Sequence, residues 1–227
     1  MQVTERIAGE TAREYAFRVL RDNIVSIDLA PGSAVSENEL AAELGISRTP
    51  IREAIIDLNK ALIVEIYPQR GSSIALIDPE LVEESRFLRE VLDTAVTALA
   101  CEVATEDDIM RLEENLKLQE FYLENPIPNK LLEYDDVFHK LIYSIAKKER
   151  IYTMKDSMMI HYDRVRSLSL ITVKDIKIVS DHRAILEAIK NRDGEKAKTA
   201  VEKHLSRYKI AEEEEIREKY PDYFKQV

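Results

Sequence analysis

Residues 36–60, SENELAAELGISRTPIREAIIDLNK, constrain the fold most, because they hold two amphipathic helical patterns separated by a single tight turn. Ser36 followed by Glu39 has the form of a capping box: the serine hydroxyl accepts from the Glu39 amide and the carboxylate reaches back. The helix so opened runs over 37–44, and Gly45 supplies the turn. Ser47 then caps a longer helix, reaching about Lys60, in which Pro50 falls in the first turn, where a missing N–H costs little. Its Ile51, Ala54, Ile55 and Leu58 follow i, i+3, i+4, i+7 spacing and must face a core, so Arg48, Thr49, Arg52 and Asn59 point elsewhere. Upstream, Ala12, Tyr15, Ala16, Val19 and Leu20 mark a first helix over about Glu10 to Ser26. Downstream, the β-prone segments VEIY and SSIALI flank Pro68-Gln69-Arg70-Gly71 and read as a hairpin.

Residues 1–77 therefore read as a winged helix-turn-helix, three helices plus a β-hairpin wing, ending at the boundary Asp78-Pro79. Arg48 and Arg52, one turn apart at the start of the third helix, can reach base edges and phosphates in a major groove, and the helix N-terminus itself attracts a phosphate. The net charge of −10 speaks against this, and residues 1–77 hold 8 basic against 11 acidic side chains. A DNA contact needs only a focused patch, however, and Arg48, Arg52, Lys60 and Arg70 supply one between Ser47 and Gly71.

From residue 78 to 227 the pattern is helical, with breaks at Asn125-Pro126-Ile127-Pro128, near Thr172-Val173 and at Asp193-Gly194. This predicts an all-α bundle of about six helices up to Ala211, then an acidic run and a short tail. The fold class is thus mainly α. The single cysteine, Cys101, lies in the apolar run TALACEVA and reads as core, which excludes a disulfide framework within one chain. No apolar stretch is long enough to span a membrane and the first residues lack the pattern of a signal peptide, so a cytoplasmic protein is expected.

Four inward-phased polar residues are the informative feature of this half. Asp135 and His139 share a stripe with Leu131, Phe138 and Ile142; His182 is in phase with Ile178, Ile185, Leu186 and Ile189; His204 is in phase with Ala197, Ala200, Val201 and Tyr208. His182 and His204 each lie 11 residues from Asp193, so a hairpin of their helices brings them to one height. A buried carboxylate among three imidazoles is an expensive core unless a divalent cation satisfies them, and Zn, Ni, Mn or Fe suits this donor set, with positions left for water or a ligand carboxylate. His161 shares a stripe with Met154, Met158, Val165 and Leu168, and two readings are open for it, pocket residue or packed core. Arg164 reads either as an anion partner for an effector or as a surface arginine.

The segments PGSAVSENELAAELGISRTPIREAIIDL and YPQRGSSIALI resemble the winged helix-turn-helix of GntR-type bacterial regulators. That resemblance implies DNA contacts from Ser47, Arg48, Thr49 and Arg52, with Arg70 and Gly71 at the wing tip. Lys60-Ala61-Leu62 departs from the family's usual glycine after the recognition helix, which puts the path into the wing in question. Residues 84–208 are similar to the FCD-type ligand domain of the FadR-like branch, whose metal-binding members carry Asp-x-x-x-His and two later histidines, here Asp135, His139, His182 and His204. The family likeness implies an organic acid held by the metal and by Arg89, with Asp93 standing where a Glu is usual. The expected function is a non-enzymatic DNA-binding regulator, a homodimeric repressor on a short inverted repeat in double-stranded operator DNA, whose affinity a small carboxylate metabolite controls at a divalent metal ion. The alternatives are a metal-dependent hydrolase and a regulator whose metal is purely structural.

Overall fold

A computed structural model describes residues 1–127, 129–172, 177–206 and 212–226; the stripe partner Tyr208, the break residues Pro128 and Val173, and Ala211 lie outside the described residues. The mainly α fold is observed, with ten α-helices and one small sheet among those residues. Thr11 closes a capping box with Glu14 and starts α1 (Ala12–Val25). Strand β1 (Ala34–Val35) leads into α2 (Glu37–Leu44), whose cap Ser36 accepts from the Glu39 amide at 3.4 Å, the first half of the expected box. Gly45 takes a left-handed conformation (φ 66°), the turn its missing Cβ makes cheap. Helix α3 (Arg48–Lys60) follows, then β2 (Val64–Tyr67) and β3 (Gly71–Ile74).

The expected hairpin of β2 and β3 belongs to a three-stranded antiparallel sheet in the order β1-β3-β2, with β3 in the middle because Ala34 and Val35 pair with Ser73 and Ser72 on its other side. Two residues are too few to show a strand pattern, so β1 has no signature in the sequence. The turn out of α3 is solved one residue later than the family's glycine suggests: Ala61 keeps an ordinary φ of −80°, and Leu62 takes the left-handed conformation at φ 60°. For a residue bearing a Cβ this costs roughly 1–2 kcal/mol.

The helical part comprises α4 (Pro79–Val103), α5 (Glu106–Glu124), α6 (Lys130–Ile145), α7 (Glu149–Thr172), α8 (Ile178–Lys190) and α9 (Gly194–Ser206), the six expected, with α10 (Glu212–Lys219) in the acidic run and a 3-10 turn at Pro221–Tyr223. Two compact units emerge. The first contains Met1–Val82, Ile160–Leu168 and Arg217–Val227; the second contains Glu83–Met159 and Ser169–Ile216. In the first, α1 and α3 bury Ala16, Val19, Leu20, Ile24, Ile51, Ala54, Ile55 and Leu58 in one core, to which Ile160 of α7 is added. The tail also belongs there: Phe224 is buried and pairs in parallel with Ile77, with Ile77 N–H donating to Tyr223 O and Lys225 N–H to Ile77 O.

In the second unit, Leu112, Phe138, Ile142, Ile185, Ile189, Ala197 and Val201 centre an apolar core that includes Cys101. The α8–α9 hairpin turns through Arg192, whose guanidinium donates to the carbonyls of Cys101, Glu102 and Ala104 at the end of α4. The Cys101 and Glu102 carbonyls belong to the last turn of α4 and lack intrahelical partners, and that of Ala104 follows directly, so a cation there is favourable on both hydrogen-bond and dipole grounds.

Candidate functional site

In the first unit the apolar phase of α3 is as expected, with Ile51, Ala54, Ile55 and Leu58 all at 2% exposure or less. Ser47, Arg48, Thr49 and Arg52 are therefore turned outward and exposed. Ser47 occupies the cap position, but its hydroxyl makes no cap hydrogen bond, a correction to the expected cap. Arg48 and Arg52 both reach Glu37 on α2, at 3.3 and 3.1 Å, so one carboxylate gathers the two guanidinium groups. Asn59 serves the fold instead, since its amide donates to Val64 O and ties α3 to the wing. Arg70 and Gly71 are exposed at the β2–β3 turn, where Gln69 and Gly71 both take positive φ.

In the second unit Asp135 and His139 of α6, His182 of α8 and His204 of α9 converge, with one donor atom from each within 4.8 Å of the others. Asp135, His139 and His182 are buried and His204 is half-buried. Phe138 stacks on His182 with ring centroids 4.3 Å apart, and the His182 and His204 rings are 4.7 Å apart. Each imidazole has an outer partner: His139 Nδ1 faces Asp93 Oδ2 at 3.3 Å, His182 Nδ1 lies 2.7 Å from Gln119 Oε1, and His204 Nδ1 lies 3.9 Å from Asp181. Burial, with Arg89 beside it, lowers His139 to about 4, and burial followed by His204 holds His182 well below 6.5.

These two imidazoles are neutral, and the Nε2 atoms of His139 and His182 have no hydrogen-bond partner. His182 Nε2 is 3.3 Å from Asp135 Oδ1. Two donors each about 2.1 Å from one ion lie roughly 3.0–3.4 Å apart at angles between 90° and tetrahedral, so this spacing fits a shared cation. The outer partners complete the pattern in which a ligating imidazole gives its other N–H to a second group. The residues present therefore could hold a divalent metal.

Arg89 joins the cluster, as expected from the family likeness: it is 3% exposed, donates to Asp93 Oδ2 at 3.1 Å and approaches Asp135 Oδ2 at 3.6 Å. Sequence reasoning missed Lys155. Its ammonium is buried, 3.0 Å from Asp93 Oδ1, and sits over the rings of Tyr143 and Tyr152 at 4.8 and 5.0 Å. Tyr143 also donates to Asp93 Oδ1 at 2.6 Å. Burial alone would raise the Asp93 pKa, but Lys155, then His139 and Arg89, hold it well below the usual carboxylate range. A signal for Lys155 exists: it is in phase with the buried Met159 and Tyr162, whereas the stripe that the sequence suggested as inward contains Met154 and Met158, which are 74% and 51% exposed.

The structure does not bring His161 or Arg164 to this cluster. Both belong to the first unit, where His161 Nε2 is 3.0 Å from Ala61 O and Arg164 donates to Ala75 O at 2.7 Å. Arg164 is fully buried, against its reading as a surface arginine, and burial lowers its pKa to about 10.

The sequence matches the bacterial regulatory proteins of the gntR family over residues 13–74 and the FCD domain over residues 84–207. The chain belongs to the GntR family. It is 32% identical to the HTH-type transcriptional repressor RspR of Escherichia coli strain K12, an alignment covering 95% of this chain and 94% of that one. An HTH-type transcriptional regulator in an unstable DNA locus of Streptomyces ambofaciens is 33% identical over 95% of this chain and 91% of its own length. Among solved structures, E. coli McbR/YncC superposes with a TM-score of 0.77 at 18% identity, covering 93% of this chain and 99% of that one, which shows a shared fold. This GntR-family chain is accordingly a transcriptional regulator with an FCD domain. No helix among its described residues is long and apolar enough to cross a membrane.

Proposed function

We propose that this GntR-family protein is a cytoplasmic, homodimeric repressor whose affinity for operator DNA is set by a small organic acid at a divalent metal in its FCD domain. The observation that carries the proposal is the buried convergence of Asp135, His139, His182 and His204 with Arg89 beside it. Zn, Ni, Mn or Fe suits those donors, and such an ion supplies Lewis-acid positions that a carboxylate can fill. Arg89 adds a charged donor for an anionic oxygen of the same ligand. The functional division follows residue 77: residues 1–77 bind DNA, and residues 78–227 hold the effector and the dimer contact. Ser47, Arg48, Thr49 and Arg52 approach base edges and phosphates, and Arg70 and Gly71 flank the groove from the wing. A two-fold dimer asks for a short inverted repeat in the operator. The name of RspR as a repressor supports repression, with the acid acting as inducer. By linkage, an acid that weakens DNA binding must itself bind more weakly when DNA is present.

The deciding experiment measures metal content and operator affinity for the parent and for a folded variant carrying Asp135→Ala, His139→Ala, His182→Ala and His204→Ala. Stoichiometric metal in the parent alone, with saturable organic-acid binding that weakens operator affinity only in the loaded protein, is expected. Metal retained by the variant would overturn the site. Metal without any acid response would make the ion structural.

A further inference from the structure

We infer that Gln119 of α5 is the positioning residue that makes His182 a donor at the cluster, by fixing which ring nitrogen carries the proton. The inference rests on the metal reading of the site and goes beyond it, because Gln119 touches none of the other three donors among the contacts described. Gln119 is fully buried, as is nearly all of Asn115 one turn earlier. Its Nε2 lies 2.7 Å from Asn115 Oδ1 and 3.3 Å from the backbone carbonyl of Tyr134, while its Oε1 lies 2.7 Å from His182 Nδ1.

A side-chain amide can be turned end for end, and Asn115 could turn with it, but the Tyr134 carbonyl cannot: it only accepts. The reversed Gln119 would set Oε1 against that carbonyl, two acceptors with no proton between them. The amide orientation is thus decided by the main chain of α6. With Oε1 facing His182, Nδ1 must be the protonated nitrogen, and the Nε2 lone pair is left pointing at Asp135 Oδ1, 3.3 Å away. Two acceptors at that separation repel unless a cation lies between them. The chain from Tyr134 through Gln119 to His182 therefore prepares the site before any ion arrives. His139 is held differently, by the carboxylate of Asp93, so one imidazole is oriented by a charged partner and the other by a neutral one.

The imidazole tautomer of His182 is readable in the metal-free chain from long-range nitrogen–proton NMR correlations, and the Nδ1–H form is expected. Zinc affinity, measured by competition with a chromophoric chelator, is expected to weaken about 10- to 100-fold in Gln119→Leu, which cannot accept a hydrogen bond. Gln119→Glu keeps an acceptor towards His182 and, with its other oxygen protonated so that it still donates to the Tyr134 carbonyl, is expected to recover most of that loss. The proposal is overturned by the Nε2–H form in the parent, or by a folded Gln119→Leu chain that binds zinc as tightly as the parent. Should Gln119→Leu not fold, the parent tautomer and the Gln119→Glu affinity decide. A parent that takes no zinc would end the metal reading, and the tautomer of the metal-free chain would still settle the role of Gln119.

Discussion

The two units use the same residue types to opposite ends. In the first, Glu37 gathers Arg48 and Arg52 at the surface, where those guanidinium groups remain about 60% exposed. Such pairs are weak, salt-sensitive and exchangeable, so a phosphate or a base edge can replace the carboxylate at little cost. In the second, Asp93 holds Arg89 and Lys155 with all three side chains at 4% exposure or less. There the desolvation of each ion has already occurred, so losing one partner leaves the others buried with weaker compensation. An arginine beside a carboxylate is thus exposed and exchangeable in one place and a fixed part of the core in the other.

The sharpest way to break this contrast is Asp93→Ala. It should destabilise the protein by about 3–5 kcal/mol in chemical denaturation, because Arg89 and Lys155 lose the buried carboxylate they share; a cost below about 1 kcal/mol would mean that the network is not desolvated as described. Next in size is an acid effect confined to the second unit. His139 has its folded pKa lowered from 6.5 to about 4, so protons favour the unfolded chain. Stability of the metal-free protein should be full above about pH 6.5 and fall as the pH drops towards 4, by about 3 kcal/mol from this residue if the shift is fully expressed. A melting temperature that stays flat over that window would contradict it.

On the surface side, Arg52→Ala should leave the melting temperature nearly unchanged while weakening operator binding roughly tenfold to a hundredfold at constant salt. Glu37→Gln should do the reverse, releasing both arginines and tightening binding to operator and to unrelated DNA alike, as read by titration against each. The smallest expected effect is Leu62→Gly, which relieves the left-handed strain after α3 and should stabilise the chain by up to about 1 kcal/mol.

How much of this was legible in the sequence follows the same division between local pattern and long-range pairing. The helix-turn-helix could be read because Ser36, Gly45 and the Ile51–Leu58 stripe act within a few residues of themselves. Asp135, His139, His182 and His204 could be read because each announces its phase on its own helix, and the hairpin around Arg192 aligns two of them. Lys155 shows where phase reading fails: the stripe read through Met154, Met158, His161, Val165 and Leu168 is exposed at Met154 and Met158 and buried at Val165 and Leu168, while Met159 and Tyr162, in phase with Lys155, are buried as well, so one stripe does not describe the whole of α7. Gln119, whose importance lies in the carbonyl of Tyr134, and Arg164, whose partner is a carbonyl 89 residues away, carry no local signal at all. Periodicity gives the side on which a residue is buried and is silent about what meets it there.

The make-up of the first unit has a consequence for synthesis. Its helix-turn-helix and wing leave the ribosome early, yet Ile160, Arg164 and Phe224, the partner of Ile77, complete it from the last third of the chain. The DNA-reading module is therefore expected to reach its protease-resistant form only after Phe224 has emerged, and ribosome-bound chains stalled before α7 should remain cleavable near the wing. In a chain built in this order the helix-turn-helix unit is completed only after most of the second unit has been made.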